Sequence, residues 1–207
     1  MMHLAISPKS PSGEVARFID DDQFGPGQSL DKCGYEIVSL FWHSVAPDKV
    51  NPYHATDIHA MAHTDYLYYA GQDILSNQTG MSNVTLYSDL KRHRFEYVGL
   101  PPGNWDRVRT FLLYGYPVVL GGVDEATVFD VGVGKCPYSW IRPGVDYWHI
   151  ILATGLSYSD ELLVRDTANI GPDGKVRPGP RRYRLGGMKL TTATALVPSW
   201  LLVPTGL

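Results

Sequence analysis

One cysteine of the chain, Cys33, stands where a reactive thiol would be expected. The segment before it is polar and broken by Gly and Pro, and apolar residues follow at helical spacing, at Ile37, Leu40 and Phe41. This pattern predicts a helix that begins at or just before the cysteine and ends near Ala46. A thiol in the first helical turn lies near unpaired backbone N–H groups and the positive end of the helix dipole, which favour thiolate. It could therefore act as a nucleophile, although a lone cysteine is more often a small buried residue.

A nucleophilic thiol needs a base, and a histidine with a potential carboxylate partner occurs in the second half of the chain. Two apolar runs flank a turn-rich segment there, which predicts a β-hairpin. If the turn is centred between Ser157 and Tyr158, His149 lies directly opposite Asp166 on one face. A slip of one residue would break this arrangement, because it moves one strand's side chains to the other face.

Cys33, His149 and Asp166 are the residue types of a nucleophilic triad. The thiolate would attack a carbonyl carbon, and the histidine would take the thiol proton and later give it to the leaving amine. The aspartate would hold the imidazole in the right tautomer and stabilise its protonated form. Taken singly, the histidine and the aspartate are ordinary strand-end residues, and only the combination predicts chemistry.

Four short motifs, in this order along the chain, resemble those of the papain-like cysteine peptidases. The bacteriocin-leader (double-glycine) processing peptidases and their stand-alone relatives are the branch they resemble. The resemblance spans about residues 18–168. It implies an α+β, papain-like fold, in which a helical half carries Cys33 and a twisted antiparallel sheet carries His149 and Asp166, with a cleft between them. The motifs are Asp-Lys-Cys-Gly at 31–34, Leu-Tyr-Gly-Tyr-Pro-Val-Val-Leu at 113–120, His-Ile-Ile-Leu-Ala-Thr-Gly at 149–155 and Leu-Val-Arg-Asp at 163–166.

Two positions depart from the family pattern. Tyr35 stands where the family usually has Pro or Ala after Cys-Gly. The oxyanion-hole glutamine of the family commonly precedes the cysteine by six residues, and that position is Gly27 here. Gln23 and Gln28 are therefore the two candidates for this role, with Gln23 ranked slightly first. The backbone N–H of Cys33 would complete the oxyanion hole.

The resemblance implies a thiol-dependent hydrolase that cleaves a peptide or amide bond, with a peptide or peptidoglycan-like substrate and no cofactor. The same constellation could serve an amidase or transpeptidase acting on cell-wall peptides, or a transglutaminase-like acyltransferase. A non-catalytic peptide-binding module with the same fold is an alternative of another class, and the displaced glutamine favours it. The sequence leaves the substrate and the oligomeric state open.

His59 and His63 form a second group with spacing suited to chemistry. They are four residues apart in a predicted helix, so one face could offer two imidazoles to a metal. The zinc-protease pattern also needs a Glu directly after the first His, and Ala60 occupies that position. Asp65 and His54 are the only nearby candidates to complete such a site. We therefore expect no metal.

The composition fits a single globular domain over residues 1–207, because a chain of this length that is 44% hydrophobic can bury a sizeable core. The net charge of -3 gives no reason to expect nucleic acid or an anionic membrane as a partner. No secretory signal and no apolar run of about 20 residues is visible, which predicts a cytoplasmic protein, with secretion of a trimmed form left open. Cys136 follows no helix start and is interpreted as structural.

The remaining elements follow from periodicity and from turn residues. Residues 1–17 read as a lead-in segment of turns or disorder, and residues 170–187 as an irregular Gly/Pro/Arg-rich loop. Residues 124–147 are turn-rich, and the tail predicts a closing strand. The predicted helices cover 52–71, 86–93 and 105–114, the last capped by Asn104, and the predicted strands cover 117–123 and the tail 188–203.

Overall fold

The computed structural model describes residues 2–4, 13–14, 32–45, 58–70, 81–101, 103–123, 128–131, 149–167, 180–185, 192–197 and 202–204. The helices in these ranges are α1 (Cys33–Val45), α2 (Ile58–Ala70), α3 (Asn83–Arg92) and α4 (Trp105–Leu113). The strands are β1 (Met2–Leu4), β2 (Gly13–Glu14), β3 (Glu96–Leu100), β4 (Val118–Val123), β5 (Val128–Asp130), β6 (His149–Leu156), β7 (Leu162–Arg165), β8 (Arg181–Leu185), β9 (Thr192–Val197) and β10 (Leu202–Pro204).

The main sheet runs in the order β3-β9-β4-β6-β7-β8-β5, and β2 adds to β6. Its paired strands are antiparallel. Strands β1 and β10 form a separate antiparallel pair. The architecture is thus α+β with an antiparallel sheet, as the sequence predicted at this level.

Strand β6 lies in the middle of the sheet and is buried along its whole length. Its residues Ile150 and Leu152 belong to the apolar cluster that includes α1 and α3, whereas Ile151 and Ala153 belong to the cluster that includes α4. Because successive strand residues point to opposite faces, the sheet lies between α1 and α3 on one side and α4 on the other. A strand covered on both faces has a continuous apolar sequence, which explains the run after His149.

Helix α1 packs against β6 and against α2. Its predicted apolar face is confirmed, since Ile37, Leu40 and Phe41 are fully buried. On the side facing α2, Tyr35 is also buried, and its ring packs against the rings of Tyr66 and Tyr69. The tyrosine that follows Cys-Gly therefore fills the contact between the two helices.

Several sequence-predicted elements are confirmed close to their expected bounds. Helix α1 ends at Val45, strand β4 covers all but the first residue of the predicted 117–123, and β9 lies within the predicted tail strand. Asn104 caps α4, where its side-chain oxygen accepts a hydrogen bond from the Arg107 N–H. Helix α3 begins earlier than predicted, at Asn83, because Ser82 supplies its N-cap.

Other predictions are wrong. The lead-in 1–17 contains β1 and β2, and the loop 170–187 contains β8. Strands β3 and β5 were also missed. These short strands are defined by pairing with distant partners, so a local pattern does not mark them. In β8 buried and exposed residues alternate, since Arg181 and Tyr183 are buried while Arg182 and Arg184 are exposed. The sequence does not show this alternation, because arginine occurs on both faces of the strand.

Candidate active site

Cys33 is the first residue of α1, as the sequence predicted. It is a free thiol and is only 5% exposed. The helix begins here because the preceding residues are polar and the following ones supply an apolar face for the sheet. Cys33 thus lies in the turn where the first backbone N–H groups of the helix have no partners within the helix. This is the positive end of the helix dipole.

Gly34 lets the start of α1 approach β6 closely. A Cβ at this position would lie 2.7 Å from Met81 Sδ, 2.8 Å from Met81 Cβ and 2.9 Å from Ile150 Cδ1. Contacts this short do not occur between real side chains, so any larger residue would push the helix from the strand. Because Ile150 adjoins His149 in β6, the glycine sets how near Cys33 comes to the histidine.

His149 and Asp166 form a buried pair at the ends of two neighbouring strands. His149 is the first residue of β6, and Asp166 follows the last residue of β7. The Nε2–H of His149 donates a 2.6 Å hydrogen bond to Asp166 Oδ1, and both side chains are 0% exposed. Charge-assisted bonds of this length are strong, and burial shields the pair from solvent screening.

The pair meets although the predicted hairpin register is wrong. In the structure Leu152 pairs with Arg165 and Ala153 with Val164, two residues away from the predicted alignment. The register changes again between Ala153 and Gly155, nearer the turn. At the open end of the hairpin a shift of two residues keeps each side chain on its original face, so His149 and Asp166 still share a face. A bulge in β4, between Gly121 and Val123, lies beside His149. Bulges of this kind often redirect side chains next to functional sites.

The charge state of His149 is set by its neighbours. Burial alone would lower the pKa of His149, but the charge and hydrogen bond of Asp166, together with smaller contributions from Cys33, raise it from 6.5 to about 10. Because Cys33 contributes to this shift, the thiol lies near the imidazole. Because Asp166 accepts from Nε2, Nδ1 is the ring nitrogen that can exchange a proton with Cys33.

Tyr183 is a member of the site that sequence reasoning missed. It lies in β8 and is fully buried. Its hydroxyl donates a 2.5 Å hydrogen bond to Asp166 Oδ2. The two carboxylate oxygens of Asp166 therefore have separate partners, His149 on one side and Tyr183 on the other. A buried tyrosine needs a hydrogen-bond partner for its hydroxyl. The sequence does not identify this partner, because Tyr183 reaches Asp166 only when β8 pairs with β7.

The two histidines of the predicted metal pair are separate from this group. His59 Nδ1 lies 3.0 Å from Glu36 Oε2, and Lys32 Nζ donates to His63 Nδ1 across 2.9 Å. The pair thus contacts two different partners on or beside α1.

Four other residues singled out from the sequence lie outside the described residues, namely Gln23, Gln28, His54 and Cys136. The oxyanion-hole assignment to Gln23 or Gln28 therefore stays a prediction, as does the structural role of Cys136.

The chain matches no known family model and no curated protein sequence. In the part of the chain that the structure describes, no helix combines the length and the hydropathy needed to cross a membrane. The function is therefore inferred from the site. A thiol at a helix start, an imidazole that carries a proton and a carboxylate that orients the imidazole are together able to perform nucleophilic acyl chemistry.

Proposed function

We propose that the protein is a thiol-dependent hydrolase of the papain-like type that cleaves a peptide or amide bond through an acyl-enzyme. The observation that carries the proposal is the buried His149, which donates to Asp166 through one ring nitrogen and opens the strand against which the helix of Cys33 packs. A buried histidine that serves only packing needs no carboxylate partner and no thiol neighbour. The grouping of all three residue types favours catalysis over a structural role.

In the first half of the reaction, the Cys33 sulfur attacks the carbonyl carbon while the thiol proton resides on His149. The S–C bond forms and the carbonyl oxygen takes the negative charge. When the tetrahedral intermediate collapses, the C–N bond breaks and His149 gives its proton to the leaving amine. The product of this half is an acyl thioester on Cys33.

In the second half, neutral His149 takes a proton from water, and the water oxygen attacks the thioester carbon. The C–S bond then breaks, the acyl group leaves as a carboxylic acid, and Cys33 returns to a thiolate beside protonated His149. A primary amine in place of water would give acyl transfer, so hydrolase and acyltransferase differ only in the acceptor. Asp166 holds the imidazole in position in both halves and stabilises its protonated form.

The oxyanion would be stabilised by the backbone N–H of Cys33, in the first turn of α1. The second donor of the hole is expected from Gln23 or Gln28, as the family resemblance implies. Each donor contributes most in a site that excludes water, where removal of one typically lowers turnover by about 100-fold to 1000-fold.

The papain-like assignment is supported by the order of the parts along the chain. The nucleophile opens a helix, the histidine opens a long buried strand, and the aspartate follows the next strand. The helix and the strand pack against each other, which brings their starts together. Peptide substrates are the class that the resemblance implies for this arrangement.

A trapping experiment tests the proposal. The protein is incubated with a pool of fluorogenic peptides and with an activated aryl ester, and intact-mass spectrometry follows acyl adducts. We expect a thioester on Cys33 in the wild type, none in Cys33→Ala, and slow turnover in Cys33→Ser. Addition of a primary amine then distinguishes acyl transfer from hydrolysis. Turnover that persists in Cys33→Ala, or absence of any adduct in the wild type, would contradict the proposal.

A further inference from the structure

A second cluster of polar side chains is buried between α2 and α3, and the proposed reaction does not use it. It consists of Asp65 from α2, of Asp89 from α3 and of His93, which caps the C-terminal end of α3; it is called here the Asp65–Asp89–His93 cluster. One ligand atom from each residue lies within 4.8 Å of the other two. His93 Nε2 lies 2.7 Å from Asp65 Oδ2 and 3.7 Å from Asp89 Oδ1. A single imidazole nitrogen thus faces both carboxylates.

Asp89 is the unusual member of the cluster. Its side chain is fully buried, and among the described residues neither of its carboxylate oxygens has a hydrogen-bond partner. Asp65 is nearly as buried, and its other oxygen, Oδ1, lies 3.5 Å from Arg92 Nη1. A buried carboxylate that accepts no hydrogen bond is unfavourable, and a second carboxylate beside it adds repulsion. The arrangement therefore favours a cation bound between Asp65, Asp89 and His93.

We propose that the Asp65–Asp89–His93 cluster binds a divalent transition-metal cation, of which Zn²⁺ fits the donor set best. The donors are two carboxylate oxygens and one imidazole nitrogen, which suit Zn²⁺, whereas Mg²⁺ and Ca²⁺ prefer oxygen donors alone. The cation takes the place of the hydrogen atom between His93 Nε2 and Asp65 Oδ2, and the displaced proton moves to Nδ1 or is released to solvent.

The distances require only a small adjustment. Zinc bonds to nitrogen and oxygen are about 2.0–2.2 Å long, so tetrahedral donors lie about 3.4 Å apart. The separation of 3.7 Å between His93 Nε2 and Asp89 Oδ1 is already near this value, and the 2.7 Å contact with Asp65 would open slightly. A water molecule would supply the fourth ligand. His93 is partly exposed, which gives the ion access from solvent.

Such a site would be structural. The three residues come from two helical segments, and Asp89 and His93 are four residues apart along the same side of α3. A bound ion would join α3 to α2, which in turn packs against α1.

Asp89 could also be neutralised without a metal. Burial, and then the charge of Asp65, raise the pKa of Asp89 to about 7, so a proton could neutralise the carboxylate instead.

Zinc binding to purified full-length protein separates the two accounts. The protein is stripped with a chelator, incubated with ZnCl₂ and desalted, and its zinc content and melting temperature are measured. We expect about one ion per chain and a melting temperature that rises with zinc concentration but not with MgCl₂. In Asp89→Asn the zinc-dependent rise should disappear. If a proton neutralises Asp89 instead, neither the wild type nor Asp89→Asn should retain zinc or respond to it.

Two further variants make the result decisive. His93→Gln removes the partly exposed ligand and should also abolish the zinc-dependent rise in melting temperature. This variant provides the test if Asp89→Asn does not fold. The matched control is His63→Gln, which removes an exposed histidine of α2 outside the cluster and should keep the full effect. Absence of zinc binding in the wild type would overturn the proposal. So would zinc binding in Asp89→Asn and His93→Gln at the level of the wild type.

Discussion

Tyr183 donates a hydrogen bond to the oxygen of Asp166 that does not contact His149. The carboxylate is thus held from both sides, by residues of two different strands. Because an orienting carboxylate acts through its geometry, the residue that fixes the carboxylate contributes to the position of the imidazole. Tyr183 is therefore a positioning residue of the proposed site.

Tyr183→Phe tests this role. The variant keeps the buried ring and removes only the hydroxyl, so Asp166 loses one hydrogen bond. A hydrogen bond to a charged group contributes about 1.5–3 kcal/mol, which predicts a fall in kcat of about tenfold or more with KM unchanged. The control is Tyr158→Phe, since Tyr158 is 89% exposed and should have no effect. A lower melting temperature with unchanged kcat would show that Tyr183 serves packing alone.

Gly34→Ala tests the close approach of α1 to β6. The added methyl group would overlap Met81 and Ile150, so we expect a loss of about 1–3 kcal/mol in the free energy of unfolding. Turnover should fall as well, because the displaced helix start carries Cys33 away from His149. Gly99→Ala is the matched control, since its Cβ would meet only Tyr87 Oη, at 3.3 Å. Equal urea-unfolding midpoints for the two variants would contradict this account of Gly34.

The raised pKa of His149 predicts a distinctive titration. The ring should remain protonated well above pH 6.5 and lose its proton only near pH 10. In Asp166→Asn the titration should move to lower pH, because burial then acts without the opposing carboxylate. NMR of the histidine ring protons measures both, with His149→Gln identifying the signal. An unshifted titration in the wild type would contradict the buried charge pair.

The raised pKa of His149 also makes the stability of the fold depend on pH. Since the folded pKa of His149 lies above its unfolded value, the charge pair stabilises the fold fully below about pH 6.5. This contribution should be lost as the pH rises towards 10. Urea unfolding of the wild type should therefore show a decline over this range that is much smaller in Asp166→Asn. If the free energies of unfolding of the wild type and of Asp166→Asn changed with pH in the same way, the charge pair would make no such contribution.

Local patterns in the sequence were sufficient for the helix of Cys33 and for the strand of His149. Their apolar periodicity and the cap at Asn104 are properties of neighbouring residues, and these elements appear as predicted. The pairing of His149 with Asp166 also followed, because a register error of two residues preserves the face. These parts of the candidate site depend on short-range information.

Contacts between distant elements were not predictable in the same way. Tyr183 reaches Asp166 only because β8 pairs with β7, and an Arg-rich segment conceals that strand. Asp65 and Asp89 come from different helices, so their proximity is set by how α2 and α3 pack. The sequence drew attention to His59 and His63 because they are regularly spaced, yet each contacts another partner in the fold.

The proposed reaction requires Cys33 and His149 to form a thiolate–imidazolium pair, and alkylation at low pH tests this requirement most directly. The protein is treated with iodoacetamide at about pH 6, and mass spectrometry of tryptic peptides measures both cysteines. Cys33 should be labelled while Cys136, for which the sequence indicates neither a helix start nor a base, should be nearly inert.

His149→Ala should slow the labelling of Cys33 by about 30-fold or more, because the cation that stabilises the thiolate is gone. Asp166→Asn should lower turnover more than labelling, because Asp166 mainly orients the base. Equal labelling of Cys33 and Cys136 at about pH 6, unchanged in His149→Ala, would mean that Cys33 is an ordinary buried thiol.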